Sequence, residues 1–386
     1  SRNSDHDENV GGAGGSGIVL VRYEGEDQLL TGGDVEQVTL NGKIYTVHSL
    51  TDTNGDHSLK VEESNVKTAW VDGKITGDGA LSLSGELSSE DQDGTIHLTT
   101  ANENTGDITV TGGTVNVSGT LADQASVTVD LAATYRASAT DRCGSISGDG
   151  TVDINGEDIR LTVGGDSQDA LFTGSIAGSG EFDKAGTGVL SLTGDSSNYL
   201  GTVTVSAGTL QIGDGTNVGS LGSDSAITVQ SGAVLQTNIP ESNALDFRTL
   251  IQGEGQFVKA GHGTLTLSGA NTYTGGTIVK SGVLKAGSDS VMSDDDPAQL
   301  VSGAFGTGRV TVESTENGDG ELIAGQLDLN GASIANNLTL SGKGTDGMSG
   351  ALTHTSNATA AITGDITIAG TDTIIESQGD MVIEGN

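Results

Sequence analysis

The sequence predicts an all-β protein, a parallel β-helix in which the chain winds through short stacked strands. The first observation is an internal repeat, because Leu171–Gly194 and Asp246–Gly269 carry the same pattern at a constant offset. The second is the spacing of apolar residues at i and i+2 in runs of about four residues, as at Leu265 and Leu267. The third is composition: 62 glycines, 2 prolines and 3% aromatic residues imply a thin core of Val, Leu, Ile and Ala.

A leader and a small antiparallel unit are predicted ahead of the repeats. Residues 1–17 are first acidic and then glycine-rich, which is typical of a flexible leader. Residues 18–70 contain short β-type runs separated by Asn41–Gly42 and Asn54–Gly55, and Asn-Gly is a favoured two-residue turn between antiparallel strands. We therefore expect a small antiparallel β unit over residues 18–70.

Residues 71–386 are predicted to form the β-helix itself. Glycines stand at the ends of the short apolar runs, where they supply the positive φ of a sharp corner. With about 20 residues per coil, the chain would stack its strands in parallel ladders. Three segments break the pattern and are expected to protrude as loops or short helical turns: Tyr135–Gly144, Asn238–Phe247 and Asp289–Leu300.

The second copy of the repeat carries a recognisable motif. Gly255–Gly287 contains a K-x-G-x-G-x-L-x-L-x-G core, an N-T-Y-x-G turn and a trailing G-x-L-x-x-G, and Gly178–Gly213 follows the same pattern. These motifs closely resemble the autotransporter-associated β-strand repeat, which occurs in the passenger domains of bacterial surface proteins. The resemblance implies a right-handed parallel β-helix displayed outside the cell, in passengers that are often adhesins and sometimes enzymes.

The charge of the chain excludes several partners. The formal net charge is −36, from 52 acidic and 16 basic residues, so the surface repels nucleic acids and anionic lipid headgroups. No run of about 18 apolar residues occurs, and we therefore expect no transmembrane segment in this chain. Together with the family resemblance, this predicts an extracellular or cell-surface location on a bacterium.

One acidic segment matches a calcium-binding loop. Asp52, Asn54, Asp56 and Glu63 occupy positions 1, 3, 5 and 12 of the calcium-loop template, and oxygen ligands at alternate positions suit Ca²⁺. His57, however, stands where that loop needs glycine. A hairpin with its turn at Asn54 explains the same residues, so both interpretations stay open. Ca²⁺ is thus a possible ligand, and the predicted function requires no cofactor.

Other charged residues and the cysteine have ordinary explanations as well. Asp294–Asp296 before Pro297 fits either a cation-binding loop or a solvated turn. Lys184 and Lys259 recur at equivalent repeat positions, which predicts stems packed along the coil with both charges in water. Cys143, the single cysteine, has no His beside it and is interpreted as incidental.

The predicted function is that of a non-enzymatic β-solenoid segment of a bacterial surface protein, adhesive or structural. Its partner would be a host or matrix surface ligand. The six histidines are scattered along the chain and no pair of carboxylates stands out by its spacing, so no catalytic site is expected. A polysaccharide-degrading β-helix enzyme is kept as one alternative.

A second alternative is the subunit of a self-assembling extracellular fibre. The apolar run Ile18, Val19, Leu20 and Val21 follows a glycine-rich hinge, and such a tethered strand is suited to joining the open edge of an identical subunit. In that case the partners would be further copies of this chain.

Overall fold

Short strands with alternating buried and half-exposed residues make up the regular structure of the chain. The computed structural model describes the backbone of Val19–Glu24, Asp34–Leu40, Lys43–Leu50 and His57–Lys60, and then residues 68–84, 94–222, 226–316, 322–345, 349–370 and 372–385. These ranges contain 44 strands and no helix. The all-β prediction is confirmed, while the predicted leader at residues 1–17 lies outside the described residues.

Successive coils are stacked in parallel, which confirms the predicted β-solenoid. The sequence separation between partner residues in neighbouring parallel strands is shortest from Thr134 to Thr151 and longest from Gly282 to Gly325. The predicted coil of about 20 residues therefore holds in the middle of the chain and is exceeded where further segments are inserted.

Four sheets contain most of the strands. The nine-stranded sheet runs in the order Ser175–Gly178, Thr151–Ile154, Thr134–Ala137, Thr114–Val117, Thr95–Leu98, Thr68–Val71, Val19–Glu24, Lys43–Leu50 and Asp34–Leu40. The fourteen-stranded sheet contains His57–Lys60, Leu81–Ser84, Ile108–Gly112, Val127–Val129, Ile146–Gly148, Ala170–Phe172, Val189–Leu192, Thr209–Ile212, Val234–Asn238, Gln256–Ala260, Thr277–Val279, Val310–Val312, Leu338–Leu340 and Ile366–Ile368.

The other two large sheets follow the same stacking. The six-stranded sheet contains Asp141–Cys143, Arg160–Val163, Glu181–Lys184, Val203–Val205, Ile227–Val229 and Ile251–Gly253. The seven-stranded sheet contains Ala244–Phe247, Thr264–Leu267, Gly282–Ala286, Leu322–Asp328, Leu352–His354 and Ile375–Ser377, with Ser314–Glu316 antiparallel to Leu322–Asp328. Short pairs complete the set: Thr76–Gly77 with Glu103–Asn104, Asp195–Ser196 with Ser220–Leu221, Val291–Met292 with Leu300–Ser302, and Ala360–Ile362 with Met381–Ile383.

The core is a set of aliphatic ladders inside the coils. Along the fourteen-stranded sheet, Val110 lies against Val129 and Leu192 against Ile212, each on a neighbouring strand and each buried. Strands in such a ladder are about 4.8 Å apart, so side chains of similar size stack directly on one another. Each fully buried aliphatic side chain stabilises the fold by about 1.5–3 kcal/mol. The interior is mainly aliphatic, as predicted, but it also buries eight aromatic side chains: Phe172, Phe182, Phe247, Phe257, Phe305, Tyr135, Tyr199 and Tyr273.

The first strands form the predicted small antiparallel unit. Val19–Glu24 pairs antiparallel with Lys43–Leu50 on one side and with Thr68–Val71 on the other, and Asp34–Leu40 pairs antiparallel with Lys43–Leu50. His57–Lys60, by contrast, pairs in parallel with Leu81–Ser84. Parallel stacking thus starts within the range 18–70.

Glycine is required at particular corners of the coil. Gly178 has a φ of 98° and its repeat equivalent Gly253 has a φ of 102°. A Cβ at Gly178 would lie 2.1 Å from the carbonyl oxygen of Ile154, and one at Gly253 would lie 2.2 Å from that of Val229. Only glycine permits both the backbone conformation and the close approach of the preceding coil.

The two copies of the repeat do not lie in the same sheets. Phe182 belongs to the six-stranded sheet, whereas its equivalent Phe257 belongs to the fourteen-stranded sheet. Leu190 lies in the fourteen-stranded sheet, and its equivalent Leu265 lies in the seven-stranded sheet. The offset between the copies is therefore not a whole number of coils, and the second copy is shifted by one sheet.

Two of the three predicted loops are wrong. Tyr135–Gly144 supplies strands to the nine-stranded and six-stranded sheets, and the Tyr135 hydroxyl donates to Asp141 Oδ2 at 3.1 Å inside the core. Asn238–Phe247 contains the strand Ala244–Phe247. The first segment looks irregular in sequence because its buried polar groups satisfy each other only in the fold. Asp289–Leu300 does leave the stack, as an antiparallel hairpin.

Candidate functional site

The residues predicted to bind calcium fall outside the described part of the chain. Asp52, Asn54 and Asp56 precede the strand His57–Lys60, and Glu63 follows it, in segments whose structure is not described. Calcium binding by these residues stays a prediction.

The predicted donor strand has neighbours within its own chain. Ile18 lies outside the described residues, while Val19, Leu20 and Val21 belong to Val19–Glu24, which is paired on both edges. To join another subunit, this strand would have to leave Lys43–Leu50 or Thr68–Val71. Strand donation also stays a prediction.

The prediction that Lys184 and Lys259 keep their charges in water is wrong. Their exposed fractions are 2% and 0%. Lys259 Nζ donates to the carbonyl oxygens of Ala260, Gly261 and Ser281 at 2.9, 2.7 and 3.0 Å. Lys184 Nζ makes the equivalent bonds to Ala185, Gly186 and Ala207. Each ammonium uses its three donors to bridge a corner of the coil, so the recurrence of lysine is structural.

Burial changes the proton affinity of both amines. Burial lowers the pKa of the Lys259 amine to about 7. Burial also lowers the pKa of Lys184, but the nearby carboxylates of Asp166, Asp169 and Asp183 counteract it. Both amines are buried and bonded to backbone carbonyls, so their role in the described structure is to hold the coil together.

On the nine-stranded sheet, a row of mostly polar side chains also makes its contacts within the row, between neighbouring strands. The rings of Trp70 and His97 stack with centroids 5.7 Å apart, and Asn116 Nδ2 donates to His97 Nδ1 at 2.8 Å. Arg136 Nε donates to Asp153 Oδ2 at 2.7 Å. Burial and then the Arg136 charge lower the pKa of His97. These contacts connect successive rungs and stabilise the solenoid.

The hairpin at Asp289–Leu300 is different, because it leaves the stack and lines an open cleft together with residues of the neighbouring coils. Val291–Met292 pairs with Leu300–Ser302, and the three aspartates Asp294–Asp296 lie exposed in the turn. The Ala298 amide donates to Asp296 Oδ1 at 3.0 Å, which is the geometry of a turn capped by aspartate. In the described part of the chain, no three His, Cys, Asp or Glu side chains are grouped to hold a metal ion.

The cleft beneath this hairpin has a volume of about 550 Å³. One wall consists of Met292, Pro297 and Leu300 from the hairpin. The opposite wall consists of coil corners and is mostly polar: Thr307, Gly308, Arg309, Ala335, Asn336, Asn337, Thr363, Gly364 and Asp365. The volume is in the range of small-molecule sites.

Three exposed residues of this wall form a row in register. Arg309, Asn337 and Asp365 each precede a strand of the fourteen-stranded sheet. The Val310 amide donates to the Asn337 carbonyl at 2.9 Å, and the Leu338 amide donates to the Asp365 carbonyl at 2.8 Å. Consecutive rungs therefore present a guanidinium, an amide and a carboxylate at intervals of about 4.8 Å.

A second cleft adjoins the first at Arg309. Its volume is about 350 Å³, and its lining includes Gln256, Thr274, Gly276 and Thr311. The Phe257 amide donates to the Gly276 carbonyl and the Thr277 amide to that of Arg309, which extends the same ladder toward the N-terminus. From Gln256 to Asp365 the two clefts cross five rungs, or about 19 Å at 4.8 Å per step. The cleft residues lie far apart in sequence, and our sequence analysis did not identify this site.

Comparison with known protein families explains the repeat. Residues 92–117, 182–212 and 257–286 match the passenger-associated-transport-repeat family. The chain carries passenger-associated-transport repeats. The second and third matches coincide with the repeat found in the sequence, whereas the first escaped our sequence analysis because it lacks the lysine and the tyrosine of the motif. Its signal is the shared A-N-x-x-T-G, in which Asn102 corresponds to Asn271.

Two curated bacterial proteins are similar to parts of this chain. The adhesin BmaC autotransporter of Brucella suis is 30% identical over 289 residues, which are 65% of this chain and 8% of that adhesin. The Neisserial autotransporter lipoprotein NalP of Neisseria meningitidis is 35% identical over 108 residues, which are 26% of this chain and 10% of NalP. The chain thus matches a tenth or less of either relative.

The passenger repeats and the autotransporter relatives confirm the predicted location at the bacterial cell surface or outside the cell. Among the residues that the structure describes, none lies in a helix able to cross a membrane.

Proposed function

We propose that this chain is an adhesive segment of a bacterial passenger, in which a stiff β-solenoid presents the cleft under the Asp289–Leu300 hairpin to a surface ligand. The observation that carries the proposal is the cleft itself. Along the described coils, this hairpin roofs an exposed, in-register row of polar residues, Arg309, Asn337 and Asp365. A binding site on a rigid scaffold loses little conformational entropy when it meets its ligand.

The similarity to an adhesin supports this proposal. BmaC is named as an adhesin, and the matching region covers 65% of this chain. We include in the proposal that the segment is not an enzyme, as the sequence predicts. Incubation with neutral and acidic polysaccharides should then release no soluble fragments, and any time-dependent release would favour the polysaccharide-degrading alternative.

The adhesive role is tested with beads coated with the purified chain. We expect such beads to attach to cultured epithelial cells or to matrix-coated surfaces more strongly than albumin-coated beads. Replacing residues 293–299 by Asn-Gly shortens the hairpin to a two-residue turn and removes part of the roof. This variant should attach at least fivefold less, while circular dichroism shows an unchanged β-signal.

A matched control keeps the roof and changes only its charge. Substitution of Asp294, Asp295 and Asp296 by asparagine removes three charges but leaves the apolar wall in place. Equal attachment of the shortened variant and the wild type would place the contact elsewhere and contradict the proposal. If wild-type beads attach no better than albumin-coated beads, the segment is a structural spacer.

Two further hypotheses concern residues near the N-terminus and stay predictions. Calcium binding by Asp52, Asn54, Asp56 and Glu63 would raise the thermal midpoint in calcium relative to chelator, since an ion bound by the folded state stabilises it. Fibre formation through Ile18–Val21 would be lost on deletion of residues 1–23, and electron microscopy would show single rods instead of filaments.

A further inference from the structure

We propose that Thr237 and Lys259 form a proton-controlled pair inside the solenoid, in which the Thr237 hydroxyl donates a hydrogen bond to the Lys259 amine once that amine has lost its proton. This inference does not depend on the adhesive function, because both side chains lie in the core. It rests on the place of the two residues in one interior ladder, on a hydroxyl without a partner, and on the number of hydrogen bonds that each form of the amine makes.

Thr237 and Lys259 interrupt an aliphatic ladder on the inner side of the fourteen-stranded sheet. The ladder runs from Ile212 through Thr237 and Lys259 to Val279 and Val312, and each residue is in register with the next. All five side chains are buried. Because neighbouring strands are about 4.8 Å apart, a hydroxyl and an amine lie on adjacent rungs in otherwise aliphatic surroundings.

The Thr237 hydroxyl oxygen is buried and has no hydrogen-bond partner among the described residues. Buried polar groups in folded proteins are normally bonded, so this hydroxyl needs an explanation. The charged Lys259 amine does not pair with it, because its three N–H groups donate to the carbonyl oxygens of Ala260, Gly261 and Ser281. The hydroxyl is therefore free to donate when the neighbouring amine changes form.

Loss of the proton to solvent leaves the amine with two N–H groups and one lone pair, so it can bond only two of its three carbonyls. Two of these carbonyls have a second donor. The Ala260 oxygen also accepts from the Ile239 amide at 3.3 Å, and the Gly261 oxygen accepts from the Ser281 hydroxyl at 3.2 Å. Either can thus lose the lysine without being left unpaired. The new lone pair is a buried acceptor, and the flexible lysine stem lets it meet the unpartnered hydroxyl of the preceding rung.

The interior position of the Lys259 amine sets the pH at which it changes charge. Burial lowers the pKa of this amine to about 7. The other titratable side chains on the surrounding strands and turns are exposed or, for Lys285, paired with Asp328 at the outer surface: Glu241, Asp246, Glu254, His262, Lys280 and Lys285. The pair therefore rearranges near neutral pH.

The equivalent lysine of the first repeat copy has no hydroxyl beside it. Lys184 is in register with Val163 on the preceding rung and with Val205 on the following one, and both valines are buried. A valine cannot donate to a neutral amine. Of the two buried lysines, only Lys259 therefore has a donor ready in its own ladder, and the two sites form a natural pair for comparison.

The test is an NMR titration of the full chain labelled with ¹³C at lysine Cε, in which Lys259→Met identifies the Lys259 resonance. Thr237→Val removes the hydroxyl and keeps the shape of the side chain. We expect the titration midpoint of Lys259 to rise by about one pH unit in this variant, because the neutral amine loses its donor. Desolvation alone predicts the opposite sign, since a more apolar neighbour disfavours the charged amine further. Circular dichroism checks that the variant is folded.

Two further variants complete the experiment. Val163→Thr supplies the missing hydroxyl beside Lys184 and should lower the titration midpoint of that lysine. Ser281→Ala removes the other hydroxyl close to the Lys259 amine and should shift the Lys259 midpoint less than Thr237→Val does. The inference is wrong if Thr237→Val leaves the Lys259 midpoint unchanged or lowers it, or if the rise appears with Ser281→Ala instead. A higher Lys184 midpoint in Val163→Thr would show that the hydroxyl acts only as a polar neighbour, which also contradicts the inference.

Discussion

Lys259 Nζ donates to the carbonyl oxygen of Ser281 at 3.0 Å and so joins two stretches of chain 22 residues apart inside the solenoid. The Lys259 amine lies in an interior ladder between Thr237 and Val279, in a position that an aliphatic residue would ordinarily fill. Burial lowers its pKa from 10.5 to about 7. The stability of the solenoid should therefore depend on pH between about 7 and 10.5, and the contribution of Lys259 is isolated by comparison with a variant that lacks the amine.

The first prediction concerns this pH dependence. Between pH 7 and pH 10.5 the unfolded chain keeps a proton on Lys259 that the folded chain has lost. The free energy of unfolding should then rise with pH across this window, by up to about 1.4 kcal/mol per pH unit. Below pH 7 both states are protonated, and this amine adds no further slope. Urea unfolding of the wild type and of Lys259→Met at pH 7.5 and 9 measures the difference in slope.

Lys184→Met is the control for this experiment. The carboxylates of Asp166, Asp169 and Asp183 oppose the effect of burial on the Lys184 pKa. Its substitution should therefore alter the pH slope less than Lys259→Met does. Identical slopes for the wild type and Lys259→Met would show that Lys259 remains protonated in the fold.

The second prediction ranks two buried tyrosines. The Tyr199 hydroxyl donates to the carbonyl oxygens of Gly180 and Thr202, at 2.5 and 3.1 Å. The Tyr273 hydroxyl lies 2.6 Å from Thr277 Oγ1, which also donates to the Phe305 carbonyl at 3.3 Å. Tyr199→Phe removes the hydroxyl that donates to the buried Gly180 carbonyl, while the Thr202 carbonyl still accepts from the Phe182 amide, and the substitution should cost about 1–3 kcal/mol. Tyr273→Phe should cost less, because Thr277 keeps a partner. Denaturant midpoints that rank the two variants in the reverse order would contradict this.

The third prediction concerns two glycines at different corners. A Cβ at Gly201 would lie 1.7 Å from the Gly180 carbonyl oxygen, whereas a Cβ at Gly232 would meet nothing within 4 Å. Gly201→Ala must push two coils apart and should cost several kcal/mol, about the range seen for severe core changes. Gly232→Ala has space, but its φ of 81° is strained for alanine, so about 1–2 kcal/mol is expected. Thermal melts of both variants test the order, and equal losses would show that the coils are not held in close contact at Gly201.

The fourth prediction concerns the thiol. Cys143 is buried, and burial raises the pKa of its thiol far above the usual range, with Asp141 adding to the effect. The thiolate is the reactive form, so the native thiol should be inert. Ellman's reagent at pH 8 should give no colour with the folded chain and one equivalent after denaturation. Rapid labelling of the folded protein would show that the coil opens at Cys143.

The sequence was sufficient to predict the strands, because burial alternates along them as it does at Leu265 and Leu267. It also predicted that glycines at the ends of the apolar runs supply positive φ, and the repeated Gly178 and Gly253 do so. Both features depend on neighbours within a few residues, and local patterns are what a single sequence records.

Features that depend on distant coils were missed. A lysine in a polar repeat is expected to reach water. The Ser281 carbonyl that accepts a hydrogen bond from Lys259 is 22 residues away in sequence, so no local pattern predicts this contact. Asp141 and Tyr135 made a core segment look like a loop, because each satisfies the other only after folding. Met292 of the hairpin and Asp365 of a distant coil line the same cleft. No local sequence motif predicts that these two residues lie close together.

The one-sheet shift between the two repeat copies has a consequence for proteins that lengthen by duplication of repeats. A duplicated segment of this length does not renew the same side of the rod, because Phe182 and Phe257 end in different sheets. Whatever an outward side chain of the first copy contacts, its counterpart in the second copy points in another direction. Lengthening by duplication thus places equivalent surfaces on different sides of the solenoid. A ligand can then reach a longer passenger from several directions.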